Sequence, residues 1–133
     1  YTWLEVNRLE DKPKAKFSGY YVFASWMITG EKRPYNVMEG EPAGRIYAKN
    51  KPLGAFELTT RLSNLNLNDE DSSGIMGGEG TNFTVGLNWY AYPNLKFMLN
   101  YVMVNNDEYA TGDGDFEGND DFNVLQFGFY YSF

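Results

Sequence analysis

The stretch that decides the fold is Phe122-Asn-Val-Leu-Gln-Phe-Gly-Phe-Tyr-Tyr-Ser-Phe133, at the end of the chain. Large apolar side chains recur there at every second position: Leu125, Phe127, Phe129, Tyr131 and Phe133. Successive side chains of a β-strand point to opposite faces of the sheet. The pattern therefore predicts a strand with one strongly apolar face and one mixed, partly polar face.

Two kinds of protein could cover such an apolar face. A soluble β-sandwich would bury it between two sheets, whereas a transmembrane β-barrel would turn it towards lipid. The chain ends on an aromatic residue with no polar tail, which favours the barrel. The end also resembles the C-terminal assembly signal of bacterial outer-membrane barrels, whose pattern is met by Gln126, Gly128, Tyr131 and Phe133.

The composition excludes several classes of site. The 133 residues suffice for one domain, and they include no Cys and no His. Thiolate chemistry, disulfides and a histidine general base are therefore absent from this sequence, which predicts that it is not an enzyme. Aromatic residues reach 18%, an excess that suits strands and membrane interfaces. No apolar run approaches the roughly 18 residues of a transmembrane helix.

Charge is distributed unevenly along the chain. Residues 1–61 hold 10 basic and 7 acidic side chains, whereas residues 62–133 hold one basic and 11 acidic side chains. The asymmetry predicts different surroundings for the two halves. The net charge of −7 argues against nucleic acid as a partner.

Alternation of apolar and polar residues predicts an all-β, antiparallel fold of about six strands. Their ranges are 1–9, 16–29, 55–67, 81–90, 94–105 and 122–133. In the third strand the apolar positions change parity, which a bulge near Ser63–Asn64 would explain. A transmembrane barrel needs at least about eight strands. Residues 1–133 are therefore predicted to be the C-terminal portion of one outer-membrane barrel domain, or to pair with other chains.

The connections between these strands differ in character. Residues 30–54 carry a net positive charge and are read either as a solvated connector or as a basic loop folded into a pore, with a brief strand at 45–48. Residues 68–80 and 106–121 read as acidic loops, and 91–94 as a tight turn. Trp89, Tyr90 and Tyr92 fit an interfacial aromatic girdle or ordinary cross-strand packing.

Anion selection requires fixed cations along a narrow pore and no catalytic group. The candidate pore-lining or anion-contacting residues are Lys32, Arg33, Arg45, Lys49, Lys51, Arg61, Lys96, Asn88 and Asn100. Glu57 and Arg61, four apart on one strand face, could pair or line the lumen. Alternating acids at Asp113, Asp115 and Glu117 resemble half a calcium loop, but the twelfth position is Val124. No cofactor is predicted beyond loosely bound calcium there.

Four stretches carry a resemblance to a known family: residues 19–35, 54–63, 77–90 and 93–102. In order and spacing they resemble the C-terminal third of the phosphate-selective porin O and P family. The resemblance implies a sixteen-stranded barrel in the bacterial outer membrane, usually a homotrimer, whose inward loops form a constriction. Residues 30–54 would match a long periplasmic turn that enters the lumen. The acidic loops depart from a phosphate-collecting pattern.

Three functions remain open at this point. The first is an outer-membrane porin, a passive diffusion channel for small anions such as phosphate, with membrane lipids and the rest of its own barrel or other porin chains as partners. The second is a structural outer-membrane barrel that anchors or seals a larger assembly. The third is a soluble secreted β-sandwich that binds calcium or glycans.

Overall fold

The computed structural model describes residues 1–9, 12–38, 41–42, 46, 51–110 and 121–133. In chain order its elements are β1 (Thr2–Val6), β2 (Ala15–Met27), β3 (Tyr35–Asn36), β4 (Glu41–Pro42), β5 (Ala55–Asp69), α1 (Glu70–Ser73), β6 (Ile75–Tyr92), β7 (Leu95–Asn106) and β8 (Phe122–Tyr131). Among these residues no helix has the length and hydrophobicity needed to cross a membrane.

The six long strands form one sheet in the order β1-β2-β5-β6-β7-β8. Each long strand pairs with the next one along the chain, and the β1–β2 pair runs antiparallel with Thr2 opposite Gly19 and Val6 opposite Ala15. This up-and-down order is that of a β-barrel wall. The predicted all-β antiparallel fold of about six strands is confirmed.

β6 begins earlier than the sequence predicts. The prediction of a loop over residues 68–80 is therefore wrong for most of its length. Residues 75–80 belong to the strand, and only the short helix α1 and Gly74 separate it from β5. A methyl group at Gly77 would lie 2.8 Å from Leu67 O, and one at Gly78 would lie 2.6 Å from Ala110 Cα. These glycines permit close approach of neighbouring backbone, whereas the sequence had indicated an acidic loop there.

The connection between β2 and β5 contains a small ribbon that the sequence did not predict. Tyr35 pairs with Pro42 and Asn36 with Glu41, in a two-stranded sheet separate from the main one. Of the brief strand predicted at 45–48, only Ile46 lies within the described residues. Because β2 pairs directly with β5, the connection adds no strand to the main sheet.

Contacts divide the chain into two compact units. The first unit comprises residues 1–23, 61–83 and 102–124, and the second comprises residues 24–60, 84–101 and 125–133.

In the first unit, β5 keeps one alternation through Ser63–Asn64. The Arg61 guanidinium lies 4.9 Å from the centre of the Tyr21 ring, and a methyl group at Gly19 would lie 3.4 Å from Leu65 Cδ1. Gly19 and Tyr21 are two apart on β2 and share a face, so Arg61 and Leu65 also share a face. The predicted bulge is therefore wrong, because Leu65 is an apolar residue on the face that carries Arg61.

The other face of the first unit changes from apolar to polar along its strands. Exposed apolar side chains on this face include Leu62, Phe83 and Met103. Two residues further along the same strands, Asn64 Nδ2 donates to Glu79 Oε1 at 2.7 Å and to Thr81 Oγ1 at 2.9 Å. Asn105 Nδ2 likewise donates to both carboxylate oxygens of Asp121. Such a change is typical of a barrel wall where the hydrocarbon region ends.

In the second unit, an aromatic stripe crosses four strands on one face. We use this name for Phe56, Trp89, Phe97 and Phe127, whose successive ring centres are 6.0, 5.2 and 6.4 Å apart. Trp89 also donates its indole N–H to Leu53 O at 2.6 Å. Tyr90 points to the opposite face. The predicted cluster of Trp89, Tyr90 and Tyr92 is therefore divided between faces, and only its Trp89 belongs to the stripe.

Candidate functional site

The candidate site is centred on Glu57, whose side chain is completely buried in the second unit. Glu57 follows Phe56 on β5, and because Phe56 lies in the aromatic stripe, alternation turns Glu57 to the opposite face. Its Oε2 accepts hydrogen bonds from Asn88 Nδ2 at 2.9 Å and from the Tyr90 hydroxyl at 2.7 Å. A buried carboxylate is tolerated only where such donors replace water.

The positive partner of Glu57 comes from outside the main sheet. Arg33 lies in the connection after β2, and its Nη1 forms an ion pair with Glu57 Oε1. The same nitrogen donates to Ser25 Oγ at 3.4 Å. The Arg33 side chain is 32% exposed, so part of it remains accessible to solvent. The ion pair therefore fixes the connection against the face opposite the aromatic stripe.

A second ion pair holds the two ends of this connection together. Lys51 pairs with Glu31 and also donates to Thr29 O. The Thr29 hydroxyl donates to Glu31 and accepts a hydrogen bond from Phe56 N at 2.9 Å. Burial acts to raise the pKa of Glu31, but the hydrogen bonds from Lys51 and Thr29 outweigh it and lower the pKa below its ordinary value.

Lys96 adds a second cation to the site. Its ammonium group lies 5.2 Å from the centre of the Tyr90 ring, on the side of β7 that carries the polar residues. Among the described residues, no carboxylate oxygen lies within ion-pair distance of Lys96. The site thus holds two cations, Arg33 and Lys96, around one carboxylate.

The middle of the β2–β5 connection also reaches this face. Ile46 is 7% exposed and lines a cavity of about 320 Å³ together with Tyr90, Tyr92, Lys96 and Tyr130. An apolar side chain from the connection therefore packs beside Lys96. Asn100 lies further along the same face, where a methyl group at Gly86 would be 2.3 Å from Asn100 Oδ1 and 2.5 Å from Thr59 Oγ1.

The structure brings three of the predicted residues together, namely Arg33, Asn88 and Lys96. Lys32 is exposed beside Arg33, and Lys51 is used in the pair with Glu31. Arg61 lies over the Tyr21 ring in the first unit. Arg45 and Lys49 lie outside the described residues, as do the calcium candidates Asp113, Asp115 and Glu117. Within the described ranges, no group of acidic side chains could hold a metal ion.

Glu57 and Tyr90 are the residues that the sequence did not single out as central. Of the two possibilities for Glu57 and Arg61, a weak pair or lumen lining, the pair is not formed, because Glu57 pairs with Arg33 and Arg61 lies over the Tyr21 ring. The sequence feature that could have identified Glu57 is its position, since it is an isolated acid at a polar position of a strand in the basic half of the chain. Its partner lies 24 residues away in a connection, so spacing within one strand could not reveal it.

Of the four residues of the C-terminal signal, Gln126, Gly128 and Tyr131 lie in β8, and Phe133 follows the strand. Tyr131 and Phe133 are both exposed, with ring centres 6.4 Å apart, and Ser132 N donates to Asn94 O at 3.0 Å. A methyl group at Gly128 would lie 3.4 Å from Met98 Cε. Gln126 is exposed.

Comparisons with known proteins agree on one family. A family model described as phosphate-selective porin O and P matches residues 1–133. Porin O of Pseudomonas aeruginosa is 28% identical to this chain over 120 residues, which cover 86% of the chain and 27% of Porin O. The chain therefore spans about a quarter of the length of that relative.

Proposed function

Because the chain belongs to the phosphate-selective porin O and P family, as the sequence predicted, we propose that residues 1–133 are the C-terminal portion of an outer-membrane β-barrel that passively conducts small anions. Phosphate is the anion that the family description suggests. The complete barrel has sixteen strands and forms a homotrimer in the bacterial outer membrane. The aromatic stripe faces lipid, and the face that holds Glu57 and Lys96 faces the aqueous pore.

The observation that carries this proposal is the placement of charge in the second unit. Arg33, Glu57 and Lys96 all belong to the face opposite the aromatic stripe. A charged side chain on the lipid face of a barrel costs roughly 2–4 kcal/mol at the bilayer midplane. A stack of rings in which Trp89 and Phe127 are exposed suits lipid contact, whereas a carboxylate with two cations suits a water-filled lumen.

The two cations contribute unequally to anion attraction. Arg33 is in contact with Glu57, so their opposite charges largely cancel at a distance. Lys96 lies over the Tyr90 ring and has no carboxylate partner among the described residues, so its charge acts on ions in the pore. Low-dielectric walls focus this remaining field along the channel, which favours anions without a bound cofactor or a catalytic cycle.

The β2–β5 connection narrows the pore. Arg33 and Ile46 both contact the face that carries Lys96, and the Lys51–Glu31 pair closes the base of the connection. This favours the basic loop folded into the pore over a connector that lies in bulk solvent. An anion that passes the constriction therefore meets Lys96 and the exposed part of Arg33.

The test is the reversal potential of the full-length protein in planar lipid bilayers under a salt gradient. An anion-selective pore gives a reversal potential of the sign set by the anion gradient, and phosphate lowers the chloride current by competing for the same cations. A cation-selective pore contradicts the proposal. Absence of conductance from correctly folded barrels would instead favour a structural barrel that anchors or seals an assembly.

A further inference from the structure

The first unit contains a cavity that the proposed anion path through Lys96 does not use. It has a volume of about 460 Å³, within the range of small-molecule pockets. Its walls come from β1, β2, β5 and β6, and the residues on which its chemistry depends are Leu4, Phe17, Tyr21, Arg61, Leu65 and Asn82. The lining thus combines apolar and aromatic side chains with one cation and several hydroxyl and amide groups.

Arg61 is the charged group of this cavity. Its guanidinium lies over the Tyr21 ring, with Cζ 4.9 Å from the ring centre, a contact that holds the cation at the cavity wall. In the described part of the chain, no carboxylate pairs with Arg61. A guanidinium without a carboxylate partner suits bidentate binding of a phosphate or carboxylate group.

The rest of the cavity suits an apolar body attached to that anion. Leu65 is 54% exposed on the face that carries Arg61, and Tyr21 is 64% exposed. Gly19 lies between Phe17 and Tyr21 on β2 and leaves the floor open, since a methyl group there would already approach Leu65 Cδ1 to 3.4 Å. A fully hydrated inorganic ion would gain nothing from these apolar walls.

We propose that this cavity is a binding site for small aryl anions, with the anionic group on Arg61 and the ring against Leu65 and Tyr21. The occupant is a small molecule because the cavity offers charge complementarity at a single point and apolar surface for about one ring. This binding site rests on the proposed function, because the face that carries Arg61 must be open to the aqueous pore. It adds a substrate class beyond inorganic phosphate.

The test is isothermal titration calorimetry of the full-length protein in detergent, with phenyl phosphate and methyl phosphate as paired probes. The wild-type protein is expected to bind phenyl phosphate roughly tenfold more tightly, because only the phenyl ring buries apolar surface. Leu65→Asn should reduce that preference to about twofold or less. Arg61→Gln should weaken both probes at least about fivefold.

The matched control is Lys14→Gln, which removes another cation from the first unit, one that pairs with Glu5. It should leave both affinities unchanged. The proposal is overturned if the wild-type protein binds both probes equally, if it binds neither, as it would with another segment of the chain in the cavity, or if the preference survives both Leu65→Asn and Arg61→Gln. Calorimetry measures binding and does not require conduction. A barrel that binds phenyl phosphate but does not conduct anions would therefore contradict the channel proposal and leave the binding site standing.

Discussion

Arg33, in the connection between β2 and β3, forms an ion pair with Glu57, a completely buried carboxylate on β5. The pair joins a connection to the barrel wall and satisfies a charge that would otherwise be costly to bury. It also hides most of the positive charge that Arg33 would offer to a passing anion. Glu57 thus anchors the connection and, in the proposed anion channel, would reduce anion selectivity.

Replacing Glu57 by Gln should increase anion preference. The amide keeps hydrogen-bonding capacity towards Asn88 and Tyr90 but releases the charge of Arg33. For an ion roughly 7 Å from the released charge in a water-filled pore, the interaction energy is about 0.6 kcal/mol. This energy corresponds to a roughly threefold change in the occupancy of the pore by that ion. The measurement is the anion-to-cation permeability ratio, with Glu5→Gln as control for the loss of an acid elsewhere. A ratio that falls or stays constant would refute the role assigned to Glu57.

Replacing Arg33 by Gln should destabilise the barrel, because Glu57 would remain buried without its cation. Breaking a buried pair costs about 3–5 kcal/mol, and the partial exposure of Arg33 places the expected loss near the lower end. Urea unfolding in liposomes measures the free energy of unfolding. The double variant Arg33→Gln with Glu57→Gln should recover most of the loss, since neither charge remains. Equal instability of single and double variants would argue against a paired buried charge.

Replacing Lys96 by Gln should weaken anion selectivity more than replacing Lys32. Lys96 is held on the wall by the Tyr90 ring, whereas Lys32 is exposed in the connection beside Arg33. The reversal potential should move towards zero in Lys96→Gln and change little in Lys32→Gln. The assignment of Lys96 as the main pore cation fails if the two variants behave alike.

The Glu31–Lys51 pair should make stability depend on pH in a defined direction. The pKa of Glu31 is lowered from 4.5 by its hydrogen bonds despite the opposing effect of burial, so its contribution is complete above 4.5 and is lost as pH falls through the lower folded-state pKa. The free-energy difference between wild type and Glu31→Gln should therefore be constant near neutral pH and shrink in acid. Lys51→Gln should reduce this pH dependence. A difference that grows in acid would contradict the assigned direction.

The sequence predicted most of the fold, because alternation is a local property that each long strand displays on its own. The prediction from sequence failed at Gly77 and Gly78, because glycine is common both in loops and in strands that pack closely. These two glycines indicated a loop, but they lie in a strand and allow neighbouring backbone to approach closely. It also failed at Leu65, where an apolar residue on the Arg61 face was taken for a change of backbone phase.

The candidate site was only partly predictable for a different reason. Polar positions on strands identified Asn88 and Lys96, and basic composition identified Arg33. The link between them is Glu57, whose donors lie 24, 31 and 33 residues away in the chain. Pairing across strands and folding of the connection bring these groups together. The spacing of residues within a single strand reveals neither of these contacts.

The central claim is that the aromatic stripe faces lipid while the Glu57 and Lys96 face lines the pore. The chain contains no Cys, so single cysteines can be introduced at Lys96 and at Phe127 in the full-length protein, with any other cysteine replaced by serine. In liposomes, Lys96→Cys should react with a charged, water-soluble thiol reagent, and Phe127→Cys should react only with a lipid-soluble one. Reaction of Phe127→Cys with the charged reagent, together with protection of Lys96→Cys, would contradict the account.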